Sequence, residues 1–218
     1  MLGRIVIVVM GSTILACAAW QAVLQVWPWP RFAFFLCHAK QDAGLARALQ
    51  LTLCSGSLSL RLSFLEADHL LHVDEMLDAV RSRTRNFVVL LGESTLFMPT
   101  CAAAIVVAAK NGIPTIVVRC PGFDPPKDLL DELPTYLDYA ASGLAQRCIV
   151  LDDVAAAYRR LLGLDCFEVR QRLGAADIDG MADHVVGGAK RVHHALAECG
   201  RTRRAERDPC PPSVAVVA

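Results

Sequence analysis

Residues able to bind a ligand or move a proton follow the apolar runs of the sequence, where each run gives way to polar side chains. The candidates are Cys37, His38 and Lys40 after the first run, Glu66 and Asp68 after the second, Gly92, Glu93 and Ser94 after the third, and Cys120 and Gly122 after the fourth. His38 with Glu66 or Asp68 is a candidate acid–base pair if the loops bring them together. The alternative is that all of these are polar loop residues that only hold turns.

Several known catalytic and metal-binding patterns are missing from the sequence. Residues 92–96 (GESTL) lack the second glycine of the nucleophile elbow G-x-S-x-G. Neither G-x-G-x-x-G nor a P-loop is present. His69 and His72 have a metal-compatible spacing but no evident third ligand, and the nine cysteines form no C-x-x-C pair. The sequence therefore predicts no metal site and no disulfide framework, and it favours a reducing compartment.

The overall charge excludes one broad class of partner. The chain has 22 basic and 22 acidic residues, so no basic surface for nucleic acid is expected. Its hydrophobic content is 54%, with a mean hydropathy of +0.39. Part of this apolar excess lies in the first thirty residues.

The elements that must position the candidate residues alternate along the chain. Predicted strands are residues 32–36, 60–65, 86–91, 114–119 and 148–151, and predicted helices are residues 42–54 (with Asp42 as the cap), 73–83, 102–110, 127–133 and 152–162. Such alternation is typical of βαβ units and a parallel sheet. The predicted fold class is α/β, with a doubly wound, five-stranded parallel sheet at residues 31–164. This geometry would bring the candidate residues together at the carboxyl ends of the strands.

The N-terminal segment, residues 1–30, has no charged residue between Ile5 and Pro30. As a helix, residues 5–29 would be long enough to span a bilayer. This pattern predicts an apolar transmembrane helix or signal anchor and a single-pass membrane protein with a cytoplasmic domain. A cleaved signal peptide and a buried element of the fold are the alternatives.

The C-terminal quarter has a weaker pattern. Residues 165–200 are expected to form a weakly helical extension, with one helix near residues 185–196. Residues 201–218 carry a charge run followed by prolines, which predicts a disordered tail. A basic patch for anionic lipid is the alternative.

Three stretches resemble Toll/interleukin-1-receptor (TIR-like) domains. FAFFLCHAKQDAG (residues 32–44) resembles the first box of that family, with Cys37 in place of its serine and with His38 and Asp42 at its aromatic and acidic positions. LRLSFLEADHL (residues 60–70) resembles the second strand and the start of the BB loop, without that loop's usual proline-glycine. Residues 81–118 resemble the third strand, the next helix and the fourth strand. The resemblance implies a flavodoxin-like strand order.

The resemblance also implies a loss of catalysis. Relatives that cleave NAD⁺ use a glutamate three residues after a Trp-Cys pair, and aligning Cys101 to that cysteine places Ala104 at the glutamate. Alanine offers neither charge for an oxocarbenium-like transition state nor oxygen for the ribose. No catalytic residue and no cofactor are therefore expected. The alternative is an NAD⁺ nucleosidase that uses a displaced acid, with His38, Lys40 and Glu66 as cofactor-binding residues. The candidate displaced acids are Glu93, Glu66 and Asp68.

A signalling module without catalysis would work through protein–protein contacts. By the resemblance, the expected partners are other TIR-like domains, including a second copy of this chain. A few desolvated apolar residues carry most of the energy of such an interface. The predicted contact surface comprises Asp68, His69, Leu70, Pro99 and Cys101.

Overall fold

The centre of the fold is a parallel sheet with strand order β2-β1-β3-β4-β5. The computed structural model describes residues 32–56, 64–65, 72–170 and 174–207, with the backbone alone at 56, 64–65, 192–193 and 195–207. The strands are β1 (Phe32–Cys37), β2 (Phe64–Leu65), β3 (Thr84–Leu91), β4 (Thr115–Arg119) and β5 (Cys166–Glu168). All four pairings are parallel, and β2 is a two-residue edge strand beside β1. The predicted α/β class with a parallel sheet is confirmed.

The central strand is β3, which is buried at every position except Arg85. Its neighbours β1 and β4 satisfy its backbone groups on both sides, with Leu36 opposite Val88 and Val88 opposite Ile116. A parallel strand covered on both faces needs a continuous apolar run. The run NFVVLL supplies it. The strand begins two residues earlier than predicted, because Thr84 already pairs with Phe32 of β1.

Helices cover both faces of the sheet. They are α1 (Ala43–Gly56), α2 (Val73–Asp78, continued by a π-helical turn at Ala79–Arg83), α3 (Pro99–Lys110), α4 (Leu133–Tyr136), α5 (Leu151–Leu162) and α6 (Ala175–Arg207). One apolar core lies under α2, α3 and α5, and a second lies under α1 and α6. Because α3 is enclosed by the sheet and α5, its residues from Cys101 to Ala108 are all buried.

Two predicted elements are wrong. Residues 148–151 do not form the fifth strand: Cys148 has left-handed backbone angles (φ 57°), and Leu151 begins α5. Asp152 and Asp153 in the first turn favour that helix through its dipole. A helix was predicted at residues 127–133, but residues 127–132 form turns and a bend. The short helix α4 begins only at Leu133, which precedes a proline suited to a first turn.

The domain extends beyond the predicted boundary at residue 164. Strand β5 pairs with β4, with Val118 opposite Phe167, and so completes the sheet. Helix α6 then covers one face of the sheet by burying Met181, Val185 and Ala189, which are spaced four residues apart. The helix continues through Arg207, so residues 201–207 are helical where disorder was predicted. Residues 208–218 lie outside the described residues.

The predicted single-pass membrane location is corrected by the structure. No helix within the described ranges is long and apolar enough to cross a bilayer. The segment on which the prediction depended, residues 5–29, lies outside the described residues.

Packing of α6 on the sheet can be tested by truncating Met181, which has no exposed surface. We expect Met181→Ala to lower the free energy of unfolding by about 2–5 kcal/mol, because it removes buried methylene contacts and leaves a cavity. Urea unfolding followed by circular dichroism measures the change. The control is Arg191→Ala at an exposed position of the same helix, for which a change within about 0.5 kcal/mol is expected. Equal effects of the two substitutions would show that α6 does not pack as described.

Candidate functional site

The direction of strand succession reverses between β1 and β3. From β1 the chain proceeds outward to β2, whereas from β3 it proceeds to β4 on the other side. The loops that leave β1 and β3 therefore diverge, and in open α/β sheets the crevice between such loops binds ligands. Here the β1 loop carries His38 and a 3₁₀ turn at Lys40–Asp42, and the β3 loop begins at Gly92.

Asp42 and Gly92 meet across this crevice. A Cβ atom built on Gly92 would overlap Oδ2 of Asp42 and would lie 2.6 Å from its Cγ, so a larger residue here would force the carboxyl group to move. The buried Oδ2 has no hydrogen-bond partner among the described residues. The sequence predicted Asp42 as a helix cap, but this oxygen faces the β3 loop instead. The carboxyl group thus fills the point where the two loops diverge.

The position of Gly92 is fixed by Thr95, a residue that the sequence analysis did not single out. Thr95 is fully buried, and its hydroxyl donates to the carbonyl oxygen of Leu90 at 2.8 Å. The same hydroxyl accepts a hydrogen bond from the N–H of Gly92 at 2.9 Å. The spacing Gly-x-x-Thr after an apolar run is the local signal that could have indicated this turn.

His38 is only 7% exposed, and neither of its ring nitrogens has a hydrogen-bond partner in the described part of the chain. Its carbonyl oxygen accepts a hydrogen bond from the thiol of Cys101 at 3.3 Å. This bond ties the end of β1 to the first turn of α3. Buried polar atoms normally find partners, so the imidazole is, with Oδ2 of Asp42, an unusual unpaired group near the crevice.

Electrostatics in the crevice favour neutral side chains. Burial raises the pKa of the Asp42 carboxyl group above its ordinary value, and the nearby His38 opposes this shift. Burial, with a smaller contribution from the negative charge of Asp42, raises the pKa of the Cys120 thiol to about 12. Cys120 is therefore protonated at neutral pH and is a poor nucleophile.

Ala104, the residue at the expected glutamate position, is 1% exposed. It lies beside a cavity of only about 10 Å³ that is also lined by His38, Thr100 and Cys101. A cavity of this size holds about one water molecule. It has no room for a ribose ring.

The remaining predicted residues are distributed unevenly. Lys40 and Glu93 are exposed, and Ser94 accepts a hydrogen bond from Nε2 of Gln41 at 2.6 Å. The predicted contact residue Cys101 is buried, with 3% of its surface exposed. Pro99 is half-buried in the first turn of α3. The other predicted site residues, Glu66, Asp68, His69 and Leu70, lie outside the described residues.

Across the described ranges, no three His, Cys, Asp or Glu side chains are grouped so that they could hold a metal ion. No protein-family model matches the chain, and no curated protein matches it. The TIR-like resemblance is therefore carried by the three stretches quoted above.

The raised pKa of Asp42 gives a testable pH dependence. The folded-state pKa of Asp42 lies above the ordinary value of 3.8. The stabilisation associated with this group is therefore fully present below pH 3.8 and is lost as the pH rises through the folded-state pKa. Asp42→Asn cannot ionise. We therefore expect its free energy of unfolding, relative to the wild type, to increase as pH is raised from below 3.8 towards neutral.

Urea titrations at a series of pH values measure this difference. The matched control is Asp131→Asn, the same substitution at an exposed position, which should follow the wild-type profile closely. If the Asp42→Asn and wild-type profiles run parallel across the acid range, the carboxyl group is not desolvated as described.

Proposed function

We propose that this chain is a TIR-like signalling module that acts through protein–protein contacts and does not cleave NAD⁺. The observation that carries the proposal is the environment of Ala104. Its methyl group is buried beside a cavity of about 10 Å³, where the resemblance expects a catalytic glutamate. A ribosyl transition state requires a nearby carboxylate to stabilise developing positive charge.

The close contact between the β1 and β3 loops supports the same proposal. Asp42 occupies the space above Gly92, and α3 buries its small side chains against the sheet. Substrate sites are usually concave and large enough to enclose most of the ligand. The contact between these loops favours a structural role for Asp42, in which its carboxyl group fixes the position of the β1 loop against the β3 loop.

The start of α3 is the described part of the proposed contact surface. Phe97, Met98, Pro99 and Thr100 are successive half-buried residues, and the Phe97 ring lies 5.3 Å from that of Tyr136. A partly exposed apolar turn held in place by ring packing provides a rigid anchor for a partner. By the resemblance, the BB loop residues Asp68, His69 and Leu70 would complete the surface, and the partner would be another TIR-like domain, including a second copy.

An NAD⁺ nucleosidase is the second candidate, and Asp42 is the observation that favours it. A half-buried carboxyl group with a raised pKa, placed beside an unpaired imidazole, has the properties of a general acid. In this case NAD⁺ would be held near His38 and Lys40. The displaced acid would then be Asp42, or Glu93 on the neighbouring loop.

Incubation of the full chain with NAD⁺ separates the two candidates. We expect no release of nicotinamide above a protein-free blank, because no carboxylate is available at Ala104. The measurement is chromatographic detection of nicotinamide, with an active NAD⁺ glycohydrolase as the positive control. Turnover that is lost in Asp42→Asn or Glu93→Ala, and kept in the exposed-surface control Glu75→Ala, would replace the proposed module with the enzyme.

The contact surface is tested by placing a charge on it. We expect Met98→Glu to weaken self-association, because it puts a carboxylate into an apolar interface. The fold should be retained, since an acid near a helix N-terminus is favourable. Analytical ultracentrifugation over a range of concentrations measures the dissociation constant.

The control for this experiment is Leu51→Glu, a comparable change at a side chain that is 60% exposed on α1. Helix α1 covers the opposite face of the sheet, so this variant should associate like the wild type. Equal weakening by both substitutions would indicate that the start of α3 is not the interface.

A further inference from the structure

A groove of about 1050 Å³ lies at the amino-terminal edge of the sheet, opposite the crevice near Asp42. Helices α1 and α6 form its walls, and the first residues of β1 and β3 form its floor. Its lining includes Ala33, Thr52, Asn86, Ala182, Val186 and Lys190. The volume is in the range of sites that enclose a ligand or a short peptide.

Asn86 provides an unpaired acceptor in this groove. Its side chain is 3% exposed, and its Nδ2 donates to the carbonyl oxygen of Ala33 at 2.9 Å. Its Oδ1 is buried without a hydrogen-bond partner among the described residues. An unsatisfied buried acceptor is unfavourable. The apolar part of the groove, together with Oδ1 of Asn86, therefore suits an occupant that combines an apolar surface with one N–H or O–H donor.

The chain brings such a segment to this edge of the sheet. Strand β1 begins at Phe32, next to the groove residue Ala33, so the residues immediately before it in the sequence are joined to the sheet at this edge. These residues are Trp27, Pro28, Trp29, Pro30 and Arg31. A chain extends at most ~3.3–3.6 Å per residue, so Trp29 lies within roughly 11 Å of Phe32.

Tryptophan has the required chemistry. The indole is a large apolar surface with one N–H that only donates, and a buried tryptophan normally finds an acceptor. The alternating prolines lack N–H groups and favour an extended chain, so this segment would bring few unpaired backbone donors into the groove.

We propose that the groove between α1 and α6 receives the chain's own Trp-Pro-Trp-Pro segment, residues 27–30, and that an indole N–H of Trp27 or Trp29 donates to Oδ1 of Asn86. This docking would cover the amino-terminal edge of the sheet. It does not depend on the proposed function, because the groove and the crevice lie at opposite ends of the strands.

The protein contains its own reporter for this interaction. Its three tryptophans are Trp20, Trp27 and Trp29, so intrinsic tryptophan fluorescence comes only from the N-terminal segment. In the full chain carrying Trp20→Phe, the emission reports on residues 27 and 29 alone. We expect a blue-shifted emission with weak quenching by acrylamide, because docking removes the indoles from water.

A charge in the groove should release the segment. Val186→Asp, in the Trp20→Phe background, is expected to shift the emission to the red and to increase acrylamide quenching while circular dichroism remains unchanged. The matched control is Val150→Asp, the same substitution at a side chain that is 51% exposed outside the groove, and it should behave like the parent. If Val186→Asp unfolds the domain, Thr52→Arg on the opposite wall gives the same test from the half-buried surface of α1.

Three results would overturn the proposal. The first is a parent emission that already has the red position and strong quenching of water-exposed tryptophan. The second is an emission that neither folded groove variant alters, or that Val150→Asp alters equally. The third is an emission that depends on protein concentration, which would assign the groove to the segment of a second copy.

Discussion

Parallel pairing of β3 with β1 on one side and β4 on the other fixes the position of every side chain discussed above. Each pairing satisfies the backbone of a strand that is buried on both faces, and each requires a helical crossover. The crossovers place α1 and α3 on opposite faces of the sheet. As a result the loops after β1 and β3 diverge, while the starts of the same strands lie together at the floor of the groove.

The two edges of the sheet differ in the volume of the cavities described there. At the carboxyl edge, Asp42 rests against Gly92, and the cavity beside Ala104 is about the size of one water molecule. At the amino edge, α1 and α6 leave a groove of about 1050 Å³ with the unpaired Oδ1 of Asn86 in its lining. In the described part of the carboxyl edge, the points near Asp42 and Ala104 are filled, and the groove between α1 and α6 lies at the other edge.

The burial of α3 explains why an acid is absent from its first turns. The helix is packed between the sheet and α5, and residues from Cys101 to Ala108 are all buried. A carboxylate at position 104 would lose its hydration without a paired cation, which is costly in a protein interior. Alanine at this position is therefore consistent with close packing of α3, and a catalytic glutamate would need a more open crevice.

Strands β1, β3 and β4 and helices α1, α3 and α5 could be predicted from the sequence, because their apolar runs and periodic stripes are local signals. Strand β5 and the extent of α6 could not be predicted in this way, because they depend on contacts between distant parts of the chain. The three residues of β5 contain no apolar run, and they form a strand because they pair with β4. Helix α6 has only a few widely spaced apolar residues, and these are buried against the sheet. The contact of Asp42 with Gly92 likewise joins residues fifty positions apart. Such contacts depend on how the chain folds back on itself, and no pattern within a short window encodes them.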